Sequence, residues 1–263
     1  MVGHSKFRLT LAVLGALAGL VGAGESAGAE PLTVGAPPFM RAAFEEILPL
    51  FEREYGAPVR VVYSPSKTLY RQIVQGVPID VFLAAGVKEI EDLHKKGLTL
   101  SGGPRVYGQT SLVLVASTGS GAISTSFRDA LPDRATRIAL GDPKTSSLGE
   151  ITARALTGLD PGYRNRPRMF QGQHGEDIVN LIEARKVDMG IVYRVDALSS
   201  GHVRIIDEAP AGKHTPVQFG QAVVWTCREE SRVVAGEFFD FILSPRIQKL
   251  LLKYGFEYMP SNG

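Results

Sequence analysis

The chain predicts an α/β protein of two lobes with a cleft between them, each lobe a mostly parallel sheet flanked by helices. Three observations carry this. Leu69-Tyr-Arg-Gln-Ile-Val-Gln-Gly-Val-Pro-Ile-Asp-Val-Phe-Leu-Ala-Ala85 reads as an amphipathic helix, a tight turn, an Asp and a buried apolar strand. Ile178-Val-Asn-Leu-Ile-Glu-Ala-Arg-Lys-Val-Asp-Met-Gly-Ile-Val-Tyr193 repeats that plan. A helix feeding a continuous apolar run is the signature of a strand covered on both faces. The third observation is length: 263 residues suffice for two modest cores.

The elements follow in order. Pro31 to Gly35 is a short strand, and Phe44, Ile47, Leu48, Phe51 and Tyr55 fall at helical spacing with Gly56 placed to stop the helix. Val59 to Tyr63 is the next strand. Ser64-Pro-Ser-Lys67 is a polar turn into a helix over Leu69 to Gln75, Asp80 to Ala85 a third strand, and Val87 to Lys96 a helix closed by Gly97. Such alternation predicts a parallel sheet. Ser111 to Ala116 crosses to the second lobe, where Arg137 to Leu140 is a strand and Gly149 to Leu156 its helix. Val203 to Ile206 is another strand and Phe219 to Thr226 the return crossing. Phe238 to Phe256 is two helices, with Ser244 at an N-cap, Pro245 at the first helical position and Gly255 at the stop. The expected lobes are therefore 30–112 with 217–263, and 113–216.

The first 29 residues read as an export signal. His4, Lys6 and Arg8 form a basic start, Leu9 to Val21 an apolar stretch too short to span a bilayer, and Ala27-Gly28-Ala29 a small-x-small cleavage site. The mature chain is expected free in the periplasm, because no Cys follows the apolar stretch to carry a lipid. Cys227 is the only cysteine, so no internal disulfide forms. A formal charge of +2 argues against a nucleic-acid partner. The basic run Arg164-Asn-Arg-Pro-Arg168 reads as a solvated face.

Gly76-Val-Pro-Ile-Asp-Val-Phe-Leu-Ala-Ala85, Ala139-Leu-Gly-Asp-Pro143, Gly190-Ile-Val-Tyr-Arg-Val-Asp-Ala197 and Leu243-Ser-Pro245 through Tyr254-Gly-Phe256 resemble the molybdate-binding proteins of ABC importers. The likeness covers the mature chain in the right order. It implies two lobes closing on a tetrahedral oxyanion such as molybdate or tungstate, without metal, cofactor or covalent chemistry. The partner it implies is an ABC permease in the inner membrane, served by a monomer. In that family the anion accepts hydrogen bonds from a Ser in each of the first two strand-to-helix loops. Backbone N–H groups and a Tyr of the far lobe complete the shell, a set that suits a dianion because helix N-termini attract it.

Carried over by position, Ser66 takes the second-loop serine and Tyr193 the tyrosine. Leu148 and Gly175 stand where small or apolar residues present their amides. Phe39 replaces the first-loop Ser, and Pro37 and Pro38 before it carry no N–H. Each donor to a buried anion contributes about 1.5–3 kcal/mol, so another anion or a small organic ligand resting on Phe39 is the alternative cargo. Lys67, Arg71, Ser146 and Ser147 are the candidates to compensate, and Thr68 is a further candidate contact. Against ligand contact, Ser66 and Thr68 have the plainer role of an N-cap, Lys67 that of a solvated lysine, and Tyr193 and Phe39 that of packing. Lone histidines, His174 among them, lack partners at metal-ligand spacing. Ser64-Pro-Ser-Lys67 also matches the Ser-x-x-Lys nucleophile motif of penicillin-binding enzymes. No Ser-Asp-Asn or Lys-Thr-Gly accompanies it, and no enzyme is expected.

Overall fold

A computed structural model describes residues 30–257 except 120, 122, 123, 125, 160, 161, 164–168 and 211–215. The expected export signal and the Arg164–Arg168 run lie outside the described residues. The first sheet has the order β2-β1-β3-β10-β4, from β1 (Leu32–Ala36), β2 (Val59–Tyr63), β3 (Val81–Leu83), β4 (Arg105–Thr110) and β10 (Val217–Val223). The second has the order β7-β6-β8-β5-β9, from β5 (Leu112–Ser117), β6 (Ile138–Gly141), β7 (Met169–Gly172), β8 (Met189–Tyr193) and β9 (Val203–Glu208).

Both sheets are mixed. β1 pairs in parallel with β2 and β3, and β6 with β7 and β8. β10 and β5 run antiparallel to their neighbours because each is a crossing strand, entering its sheet from the other lobe. The chain passes from the first sheet to the second at Ser111, since Thr110 pairs with Val217 and Leu112 with Tyr193.

Helices α1 (Met40–Tyr55), α2 (Ser66–Val74), α3 (Lys88–Lys95), α8 (Arg232–Leu243) and α9 (Pro245–Leu251) accompany the first sheet. Alternation along β3 shows why its sequence is apolar throughout. Val81 and Leu83 join the main core with Phe44, Phe51 and Phe238, whereas Phe82 packs with Leu69, Ile73, Ile90 and Leu93 beneath α2 and α3. Helices α4 (Phe127–Ala130), α5 (Ser147–Leu159), α6 (Gly175–Glu183) and α7 (Arg194–Ser200) belong with the second sheet. Gly56 and Gly255 end their segments in the left-handed region, at φ 65° and 86°. Pro245 opens α9 as expected, while the Ser244 side chain makes no cap bond.

The Asp of each repeated unit has the same task. Asp80 N–H donates to Thr33 O (2.8 Å) while its carboxylate accepts from Thr33 N–H (2.7 Å). Asp188 does the same with Arg137, at 2.9 and 2.8 Å. Each Asp thus locks the start of a central strand to its parallel neighbour, and each also pairs with an arginine, Arg228 or Arg137.

Behind the cleft, where the chain crosses between sheets, Phe39, Tyr107, Tyr193, Phe219 and Phe256 form one aromatic cluster. Gly108 permits it, because a Cβ there would stand 2.4 Å from the Phe256 ring. Among the described residues no helix is long and apolar enough to cross a membrane.

Candidate functional site

Where the two sheets face each other, the N-termini of α2, α5 and α6 converge on one small cavity. Its walls are Pro37, Pro38, Phe39, Pro65, Ser66 and Ala85 from the first lobe, and Ser146, Ser147, Leu148, Gln173, His174, Gly175, Tyr193 and Asp196 from the second. The space is about 20 Å³, room for roughly one water, so the lobes stand closed. The first N–H groups of a helix have no partner within it and carry the positive end of its dipole. Ser147, Leu148 and Gly175 occupy such positions in α5 and α6. The first lobe supplies three prolines and hence few amides, leaving the Ser66 hydroxyl and the amide at the start of α2 as its donors.

Of the residues singled out from sequence, Phe39, Ser66, Ser146, Ser147, Leu148, Gly175 and Tyr193 line this cavity; Lys67, Thr68 and Arg71 do not. The helix begins at Ser66, so the next two residues rotate away by about 100° each. Lys67 instead reaches across the lobe interface, donating to Pro143 O at 3.0 Å and pairing with Glu150 at 3.0 Å. Thr68 accepts a bond from Arg71. Ser66 is not an N-cap: Pro65 holds that position, and the Ser66 hydroxyl accepts from Ala85 N–H at 2.8 Å. With Lys67 committed to the far lobe, it is not placed beside Ser64 as a serine-activating base.

Two further bonds join the lobes. Tyr193 donates to Ala85 O (3.0 Å) and Ser147 to Glu89 Oε1 (2.6 Å). Burial, then the charges of Glu89 and Asp196, push the Tyr193 hydroxyl well above its ordinary value, so it remains a neutral donor. Phe39 is 7% exposed and stacks on Phe219 at 4.9 Å, with its edge to Tyr193. It is wall and core together. Burial raises the Glu150 carboxyl, but the bond from Lys67 and the charge of Arg154 outweigh that and hold it below its usual range.

Sequence patterning passes over three polar wall residues, Gln173, His174 and Asp196. His174 caps α6, its Nδ1 accepting from Asp177 N–H at 3.3 Å. Asp196 accepts a single bond, from Tyr193 N–H at 3.3 Å, and burial, reinforced by the charge of Glu176, pushes its carboxyl up to about 7. A Cβ on Gly175 would lie 2.1 Å from the Asp196 carboxyl carbon, so glycine there is a requirement of packing. The usable signal for Asp196 was its place three residues after Tyr193. Among the described residues no group of three His, Cys, Asp or Glu is set to hold a metal ion.

Comparison with known proteins places this geometry. YvgL of Bacillus subtilis strain 168, provisionally named an ABC transporter substrate-binding lipoprotein, is 29% identical over 227 residues, 86% of this chain and 85% of its own. The molybdate-binding protein ModA of Escherichia coli K12 is 28% identical over 232 residues, 86% of this chain and 88% of its own. The solved periplasmic molybdate-binding protein of Azotobacter vinelandii superposes with a TM-score of 0.73 at 20% identity, covering 87% of this chain and all of that one, which is a likeness of fold. The profile of bacterial extracellular solute-binding proteins matches residues 32–257, and the chain belongs to that family.

Proposed function

We propose that this protein captures a tetrahedral oxyanion of the molybdate or tungstate kind between its lobes and delivers it to an ABC permease. It works outside the cytoplasm, in the periplasm, as a monomer that binds and releases without catalysis. The observation that supports this most is the convergence of Ser66, Tyr193 and the N-termini of α5 and α6 on one enclosed point. Neutral donors and helix N-termini stabilise an anion without a counter-charge. The names of relatives such as YvgL and ModA support the same reading of transport and cargo class.

Isothermal titration with molybdate, tungstate, sulfate and phosphate tests it. Heat with at least one anion is expected, and Tyr193→Phe is expected to weaken that binding about tenfold, the loss of one donor to a charged acceptor. Silence from all four overturns the oxyanion reading. The three prolines of the first-lobe wall, which withhold amides, then favour a small organic ligand against Phe39.

A further inference from the structure

Glu89 is the second residue of α3, and its side chain is 6% exposed. One oxygen accepts from the Ser147 hydroxyl of the opposite lobe. The other, Oε2, is buried with no hydrogen-bond partner among the described residues. It lies over Gly86, where a Cβ would come within 3.2 Å of it. A carboxylate in this setting is normally paired with a cation, yet Lys88, which feels the charge of Glu89, bonds another carboxylate, as do Lys67 and Arg154. Lys88 pairs with Asp92 at 2.5 Å, and Lys67 and Arg154 both pair with Glu150 at 3.0 Å.

The position matters because Ser147 is shared. It lines the anion cavity, and it also lines a neighbouring interlobe cavity of about 190 Å³ with Glu89, Lys88, Glu150 and Arg154. A serine hydroxyl has one proton to donate, and the proton of Ser147 goes to Glu89. An anion in the cleft therefore competes with a carboxylate for that donor, and does so within reach of the carboxylate's field: Glu89 is among the charges acting on the Tyr193 hydroxyl. Because Ser147 and Glu89 belong to different lobes, this bond forms only as the lobes close.

We infer that Glu89 sets the charge preference of the cleft, disfavouring a dianion relative to a monoanion of the same size and shape. This rests on the oxyanion reading above. Its quantitative signature follows from Coulomb's law: the penalty scales with ligand charge, so removing the carboxylate helps a dianion twice as much, on a logarithmic scale, as a monoanion.

Tungstate and perrhenate, both tetrahedral and nearly equal in size, differ by that one charge. Titrating each into the wild-type protein and Glu89→Gln, at one pH and one ionic strength, tests the inference; the amide of that variant retains an oxygen for Ser147. Tungstate affinity is expected to rise about tenfold and perrhenate affinity about threefold. Glu89→Ala is read in the same way should the first variant lose its cooperative melt. Equal gains for the two anions, or no gain, overturn the role of Glu89 while leaving the oxyanion site standing. Binding of neither anion by any of the proteins overturns that site and this inference with it.

Discussion

Asp196 is the carboxyl that lines the proposed anion cavity, and on that proposal its protonation decides whether it donates or repels. Its value of about 7 in the folded protein stands above the ordinary 3.8 because burial removes the charged form from water and one backbone N–H only partly compensates. The sign follows: the folded state prefers the proton, so this group's stabilising contribution is full below about pH 4 and is lost as pH rises through 7. Asp196→Asn is expected to flatten the pH dependence of chemical denaturation between pH 5 and 8, where the wild type loses about 2.5 kcal/mol. Sulfate, a dianion throughout, is likewise expected to bind the wild type more tightly at pH 6 than at 8.5; a wild-type profile as flat as that of the Asn variant contradicts this. Ser66 and Tyr193 were legible because each ends or begins an element whose pattern is plain. Asp196, His174 and Glu89 were not: a charged residue near a helix start reads as solvated until a second lobe is known to cover it.

At the scale of elements, the repeated helix–turn–Asp–strand phrase is a locking device, and the two copies differ in depth. The Asp80 side chain is 1% exposed, tying Thr33 N–H and Arg228; the Asp188 side chain is 23% exposed beside an Arg137 that is 36% exposed. Removing one partner of a buried pair leaves the other uncompensated, whereas an exposed pair contributes little. Asp80→Ala is therefore expected to cost about 3 kcal/mol in urea denaturation and Asp188→Ala about 1. Equal losses would mean that the backbone bond alone matters. Central strands β1, β3, β6 and β8 were readable because both faces are covered, which forces an apolar run. The edge strands β4 and β7 were not: β7 exposes Phe170 and Gln171, and β4 starts at an exposed Arg105, so neither carries that run. The short α7 escaped as well, since its seven residues complete barely two turns.

For the whole molecule, the closed arrangement is held, beside the aromatic contacts of Tyr193 with Phe39 and Phe219, by polar bonds between lobes: Tyr193 to Ala85, Ser147 to Glu89, and Lys67 to both Pro143 and Glu150. Two of them involve residues that line the proposed anion cavity. The Lys67 bridge lies outside the cavity, so it biases the open–closed equilibrium without touching the ligand. Its side chains are 21% and 27% exposed, and with the charge-assisted bond to Pro143 O it contributes about 1–1.5 kcal/mol to the closed form. Release requires opening, so that amount should appear in the rate at which ligand leaves. Lys67→Ala is expected to accelerate release about five- to tenfold in stopped-flow displacement and to enlarge the ligand-free radius of gyration in small-angle scattering. The lobes can open only about the crossing strands, where Phe39, Phe219 and Phe256 stay packed, so the expansion should leave thermal stability nearly unchanged. Faster release with an unaltered scattering curve would place the lysine on the ligand after all, and an unaltered release rate would remove it from the closure mechanism.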